Sequence, residues 1–216
     1  DAVFPDRASE RELLAIYRSG QADAMILVEI LTHDWRVELL RRHDLRFVMV
    51  GRCADLSSLS YVDFDIGQGM NDAVTHLAAL GHRHIGLITL GAATPHKEYG
   101  FTTWAREGYA AACRRYSLPA YERVADLNTE SVTATALQLL TENPQITALV
   151  TPQDSGVPGI LKATAALGLR IPDDISVVGL LDEAVAEMTT PPLTALGFYS
   201  REMGEMAVDM LVAHLN

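Results

Sequence analysis

Cysteine is scarce in this chain of 216 residues: Cys53 and Cys113 are the two present, and they share neither metal-ligand nor disulfide spacing. Free thiols in a reducing compartment are expected. Long apolar runs are missing as well, and none approaches the roughly 20 residues needed to cross a bilayer. No basic-plus-apolar leader is present, so the expected setting is cytoplasmic, away from any membrane. Positive charge is in short supply, with 17 Lys+Arg against 28 Asp+Glu and a net charge of −11. Such a chain repels nucleic-acid phosphates unless a basic patch or another domain offsets it. Arg41-Arg42-His43 and Arg114-Arg115 are short clusters at the ends of helical patterns, where cations meet the helix dipole. Nucleotide-binding signatures are incomplete. Gly67-Gln68-Gly69 precedes a helix without the third glycine of a dinucleotide fingerprint, and there is no G-x-x-x-x-G-K-[ST] loop. A G-x-S-x-G nucleophile elbow is absent.

What is there is an ordinary globular composition, 49% apolar and 21% charged, long enough for one large domain or two small lobes. Ser9-Glu10-Arg11-Glu12 has the form of a capping box, opening a helix that stops at Gly20. Residues 24–30 read as a buried strand, 35–42 as a helix, 46–51 as a strand and 52–60 as a loop. A short strand is expected over 61–65, then a helix over 68–80 with Met70, Ala73, Val74, Leu77 and Leu80 on one face and Gly81 ending it. Residues 85–90 form a strand, 91–100 a loop, and 102–116 a helix with Trp104, Tyr109 and Ala112 turned inward. A strand over 124–127 and a helix from Asn128 or Thr129 to Leu140 come next. Residues 189–192 read as a turn, 193–198 as a short strand, and 201–215 as an amphipathic helix with Met203, Met206, Ala207, Met210 and Leu211 inward.

The stretch from Leu149 to Asp182 organises the rest. An apolar run over 146–150 leads into the turn cluster Thr151-Pro152-Gln153-Asp154-Ser155. A helix follows, capped by Asp154 or Ser155, with Val157, Ile160, Leu161, Thr164 and Leu167 on one face. Pro158 is tolerated in its first turn, and Gly168 ends it in the left-handed conformation. A second apolar run covers 175–181. Strand, helix, strand with short connections is a right-handed parallel βαβ unit. Its carboxyl ends, Gln153-Asp154 and Leu181-Asp182, then emerge side by side where open α/β sheets bind ligands. Alternation of helix and strand along the chain means a parallel α/β fold.

Groups that suggest chemistry each have a bland alternative. His82 and His84 flank Arg83 and face one way, but no third metal ligand is spaced to join them. Asp63 and Asp65 share a face of an extended segment and read equally as turn-and-cap residues or as ligand acceptors, ahead of a carboxylate pair for acid–base work. Asp173-Asp174 is a solvated turn. Asp154 with Asp182 is the one candidate acid–base pair. The pattern points to a binding cleft and not to an enzyme, with no metal and no cofactor.

Three separated motifs resemble the lactose- and galactose-repressor family of bacterial transcription regulators. They are His76-Leu77 through Leu80-Gly81-His82-Arg83-His84-Ile85, then Gly168 through Gly179 (GLRIPDDISVVG), then Pro191-Pro192-Leu193-Thr194 followed by Met203-Gly204. The resemblance runs from about Ser9 to Asn216. It implies a type I periplasmic-binding-protein-like fold, in which two Rossmann-like α/β lobes flank an interlobe ligand cleft. On that basis the amino-terminal lobe is 1–64 plus 199–216 and the carboxy-terminal lobe is 65–197. It also implies that the family's first strand, helix and strand, its last helix and its DNA-binding helix-turn-helix lie outside these residues. A small-molecule effector in the cleft, operator DNA contacted through that helix-turn-helix, and a second copy of the chain are the implied partners. A solute-binding protein for transport, of the same fold, is the alternative.

Site residues carry over by position. Phe64 falls at an aromatic cleft position beside Asp65 at a chain crossing; the implied crossings are near Phe64-Asp65 and near Phe198-Tyr199. The family's sugar-binding arginine, three residues before Gly108-Tyr109, is Ala105 here. Trp104 and Arg106 flank it, and one residue on a helix turns a side chain by about 100°. Gln153 replaces the asparagine of the usual Asn-Asp pair and Asp154 remains. Leu181 replaces one aspartate of a pair and Asp182 remains. Phe198 stands for a glutamine, and Leu127 takes an often aromatic place. Dimer contacts would fall near Pro158, Leu161 and Thr189. Fewer polar partners for hydroxyls suggest an effector less polar than a common hexose, although a sugar-like ligand stays open.

Overall fold

The computed structural model describes residues 7–91 and 99–215. The chain divides into two compact units. The first takes in residues up to Phe64, a short excursion ending at Phe101, and the segment from Tyr199 onward; the second holds residues from Asp65 and from Thr102 to Phe198.

In the first unit a parallel three-stranded sheet has the order β1-β2-β3, with β1 at Met25–Leu27, β2 at Phe47–Val50 and β3 at Tyr61–Val62. Phe47 and Met49 join Leu27, Ile30, Val37, Leu40 and Cys53 in one core, with Leu13 and Tyr17 packed against it. These come from helices α1 (Arg7–Arg18) and α2 (Trp35–Arg42) as well as from the sheet. Strand side chains alternate, so Val48, fully buried, faces the other way. On β2 and its neighbours packs α8 (Ser200–Leu215), which buries Met203 and Ala207.

The second unit carries a five-stranded parallel sheet of order β5-β4-β6-β7-β8. Its strands are β4 (Ile85–Leu90), β5 (Ala120–Ala125), β6 (Ala148–Thr151), β7 (Ser176–Leu181) and β8 (Thr194–Gly197). Ile88, Leu90, Leu149, Val177 and Leu181 form one core with α5 (Thr129–Glu142) and α6 (Val157–Ala166). The alternate positions of β6 and β7 face α3 (Ile66–Ala79). Helix α4 (Gly100–Arg115) crosses α3 where two glycines meet: a Cβ built on Gly108 would lie 2.0 Å from the Gly67 carbonyl oxygen. Fully buried Tyr109 donates its hydroxyl to the Ile85 carbonyl (2.7 Å) and accepts the Tyr121 N–H (2.8 Å), stitching β4 to β5. The β6–α6–β7 unit is parallel as expected, with Ala148 opposite Ser176 and Thr151 opposite Gly179. Gly81 and Gly168 end their helices at positive φ, as the sequence predicts.

Several expected boundaries move, for identifiable reasons. The capping box does not open α1, because Arg7 and Ala8 are already helical and Ser9 lies inside the first turn. Strand β1 stops at Leu27, since Glu29 turns to φ 52° and Arg36 Nη2 takes the carbonyls of Val28 and Glu29 at 3.0 Å each. Strand β5 begins four residues before the expected Val124, pairing in register with all of β4, which leaves Leu127 beyond it and 55% exposed. Neither Asp154 nor Ser155 caps α6: a single 3-10 turn over Asp154–Gly156 comes first. Leu80 and Leu167 sit at the ends of their helices and are exposed, as is Met206 on α8. A short helix α7 (Glu183–Met188), not expected, fills the stretch before the 189–192 turn.

Candidate functional site

The carboxyl edge of the five-stranded sheet is built around the end of β4. The β4–β6 ladder pairs Ile85 to Leu87 with Ala148 to Val150 and stops there. Beyond it, the Gln153 side chain takes over: its Oε1 accepts the Leu90 N–H at 2.7 Å and its Nε2 reaches the Leu90 carbonyl at 3.4 Å. Thr102, buried near the start of α4, donates its hydroxyl to the same carbonyl at 2.8 Å. Gln153 therefore acts as a strand clamp. Thr89, one residue earlier on β4 and fully buried, has an Oγ1 without a hydrogen-bond partner among the described residues. Leaving such a group unmet costs about 1–3 kcal/mol, and sites that bind ligands tolerate that cost.

Three aspartates sit at this edge, each holding a turn or a helix start. Asp65 caps α3 by accepting the Gln68 N–H (3.1 Å). Asp154 accepts the Ser155 N–H (2.6 Å), and Asp182 caps α7 through the Ala184 N–H (3.1 Å). Asp154 and Asp182 are exposed and engage through Oδ1, so their remaining oxygens are available acceptors. Phe198, half-buried, donates its N–H to the Leu181 carbonyl (3.2 Å), which brings the ends of β7 and β8 together. Trp104, also half-buried, has its backbone carbonyl against the first turn of α3, beside Asp65. Phe64, half-buried, is the last residue of the first unit before the chain enters the second.

Other sequence-derived positions are committed elsewhere. Leu181 and Ala105 are fully buried; Leu181 belongs to the core cluster of α5 and α6 and folds back over Gly179. The Arg106 Nε pairs with Glu122 Oε1 at 2.5 Å, between α4 and β5. Asp63 pairs with Arg52 (3.3 Å) in the first unit, whereas Asp65 belongs to the second, so the two carboxylates serve separate ends. The imidazole of His82 bonds Thr147 Oγ1 (2.8 Å) and that of His84 bonds the Tyr121 hydroxyl (2.9 Å). Burial, and then the neighbouring His76, push the His82 pKa down. Among the described residues no group of three or more His, Cys, Asp or Glu side chains is placed to hold a metal ion. Pro158 is exposed and Leu161 half-buried on α6; Thr189 donates its hydroxyl to the carbonyls of Ala186 and Pro191.

Sequence reasoning missed Thr102, Thr89 and the bend after β1. In that bend the fully enclosed Asp34 side chain accepts the N–H groups of Leu31 and Arg36 and two bonds from the Arg36 guanidinium. That pairing raises the Arg36 pKa further. Tyr99 then pairs as an antiparallel bridge with Leu31, and Gly100 donates its N–H to the Ile30 carbonyl (3.0 Å). Asp-x-Arg at the start of a helix was the available signal.

Comparison with known proteins decides the family. Residues 74–216 match the periplasmic binding protein-like domain. The chain belongs to this family. Within it, the likeness to repressors holds: the chain is 30% identical over 214 residues to the HTH-type transcriptional regulator CelR of Thermobifida fusca, covering 94% of this chain and 61% of that protein. A LacI-family regulatory protein from Chloroflexus aggregans superposes with a TM-score of 0.84 at 28% identity, covering 97% of this chain and 75% of the other. A solved complex of a transcriptional regulator CelR with cellobiose gives a TM-score of 0.81 at 25% identity, over 97% of this chain and 65% of the other. The chain spans about three fifths of the curated regulator's length. Among the described residues no helix is long and apolar enough to cross a membrane.

Proposed function

We propose that this chain is the effector-binding part of a bacterial DNA-binding transcriptional regulator. The observation that carries this reading is its likeness, over 94% of its length, to a helix-turn-helix regulator. The effector binds at the carboxyl edge of the five-stranded sheet. Its affinity for one conformational state over another shifts operator affinity in the complete regulator. A second copy docks near Pro158, Leu161 and Thr189, and sedimentation of the protein with Leu161 replaced by Asp tests that placement.

The buried positions of Ala105 and Leu181 bear on the ligand. They present core packing, not apolar surface, so they do not argue for an apolar effector. Exposed Asp154 and Asp182 suit hydroxyl donors, and Trp104 and Phe198 offer rings on which a sugar face can stack. A sugar-like effector suits these groups and agrees with the cellobiose-bound relative. Thermal unfolding with cellobiose and glucose tests this. A ligand at a hundred times its dissociation constant stabilises by about 2.7 kcal/mol. Stabilisation by cellobiose, lost in Asp154→Ala or Asp182→Ala, is the expected result; stabilisation by neither sugar, or stabilisation by cellobiose that both variants keep, overturns it.

A further inference from the structure

We propose that the second unit carries another small-molecule site, at the opposite edge of its sheet, for a carboxylate with a flat apolar body. Helix α3 runs back from the carboxyl edge, so its last turn lies about 20 Å from Asp65 at its start, at 1.5 Å per residue. There a cavity of about 310 Å³ is lined by Thr75, Ala78, Ala79, Arg83 and Tyr116. That volume falls at the lower end of small-molecule sites. A helix carboxyl end ordinarily repels anions. Here the objection is met locally, because Arg83 Nη1 bonds the carbonyls of Ala78 and His82, at 2.9 Å each. The carbonyls orient the guanidinium through Nη1, and among the described residues its Nε and Nη2 donors have no carboxylate partner. A planar fork of donors fixed in this way matches a carboxylate.

The surroundings add charge and a stacking surface. Arg114 and Arg115 end α4 exposed, and the Arg115 guanidinium lies 5.4 Å from the centre of the Tyr116 ring. The alanine side chains and the Tyr116 ring supply apolar walls, while Thr75 supplies a hydroxyl.

The test uses the whole 216-residue chain, isotope-labelled, with benzoate and acetate as probes read by NMR. Benzoate should move the Arg83 Nε–H and the amides of Thr75, Ala78 and Ala79 saturably, with acetate roughly tenfold weaker or more for want of an apolar body. Ala79→Met, which fills the cavity and leaves the Arg83 contacts alone, should abolish the saturable shift. Arg83→Gln should weaken binding by roughly tenfold or more. If that variant does not fold, Ala79→Met decides alone. No saturable shift, equal affinity for acetate and benzoate, or full binding by Ala79→Met each overturns the site and leaves Arg83 as a helix cap only.

Discussion

Asp34 holds the end of β1 to the start of α2, and replacing it should cost more than any exposed charge in the chain. Its side chain is fully enclosed and its partner Arg36 is 26% exposed. Asp34→Ala removes the acceptor for the Leu31 and Arg36 N–H groups and strands the Arg36 guanidinium. Removing one partner of a buried ion pair costs about 3–5 kcal/mol. The lower end applies, because Arg36 reaches solvent and keeps its bonds to the Val28 and Glu29 carbonyls. About 3 kcal/mol, including about 1 kcal/mol for the lost helix cap, is the expected loss. Asp34→Asn keeps an acceptor and the shape but not the charge, and should lose about 1–2 kcal/mol. At roughly 2–4 °C per kcal/mol, the alanine variant melts some 6–12 °C lower. The two tryptophans separate the units: Trp35 opens α2 in the first and Trp104 lies on α4 in the second. Urea unfolding followed in Trp104→Phe and Trp35→Phe backgrounds should show the first unit's transition move while the second's stays. A loss below about 1 kcal/mol, or an asparagine variant as unstable as the alanine one, refutes this account of the bend.

Further outcomes follow from the same geometry. Gln153→Ala orphans the Leu90 N–H and should destabilise by about 1–3 kcal/mol, with faster hydrogen exchange at that amide; unchanged exchange would mean the clamp is idle. Gly168→Ala forces a side chain into φ 70° and should lose about 1 kcal/mol in denaturant unfolding. Gly108→Ala drives a methyl into the Gly67 backbone and should cost about 1–3 kcal/mol or more, read by calorimetry. Acid stability has a sign set by Asp174, whose pKa is lowered chiefly by the hydrogen bond from the Arg170 side chain, and by Glu142, lowered by Gln138 and then Arg123. Depressed native values mean their stabilisation is complete above the ordinary carboxylate range, about 4, and is lost as pH falls through the lower folded values. Asp174→Asn should therefore lower the urea midpoint at neutral pH and flatten its fall below about pH 4, so that variant and parent converge in acid; a steeper fall would reverse the assignment.

The elements legible in the sequence are those set by local chemistry. Trp35–Arg42 and Ile85–Leu90 fall where the apolar pattern puts them, and Gly81 and Gly168 end helices because only glycine enters that conformation without strain. The parallel βαβ unit around Gln153 and Leu181 was readable for the same reason: short connections between two apolar runs leave one arrangement. The helix over Glu183–Met188 was not, since six residues carry too little periodicity to show.

What each side chain at the edge of the sheet touches was decided by tertiary structure. Position in the chain placed Leu181 and Arg106 beside the ligand, but one side chain turns into the core of α5 and α6 and the other meets Glu122 across α4 and β5. The sequence placed Gln153 at the ligand edge after a strand; the stop in the β4–β6 ladder adds a role as partner for Leu90. Sequence alone determined the parallel α/β class and the family, because periodicity, turn residues and motif order are properties of the chain read in one dimension. Direction and pairing of individual side chains belong to the folded state, where residues as far apart as Leu90 and Gln153 first come within hydrogen-bonding distance.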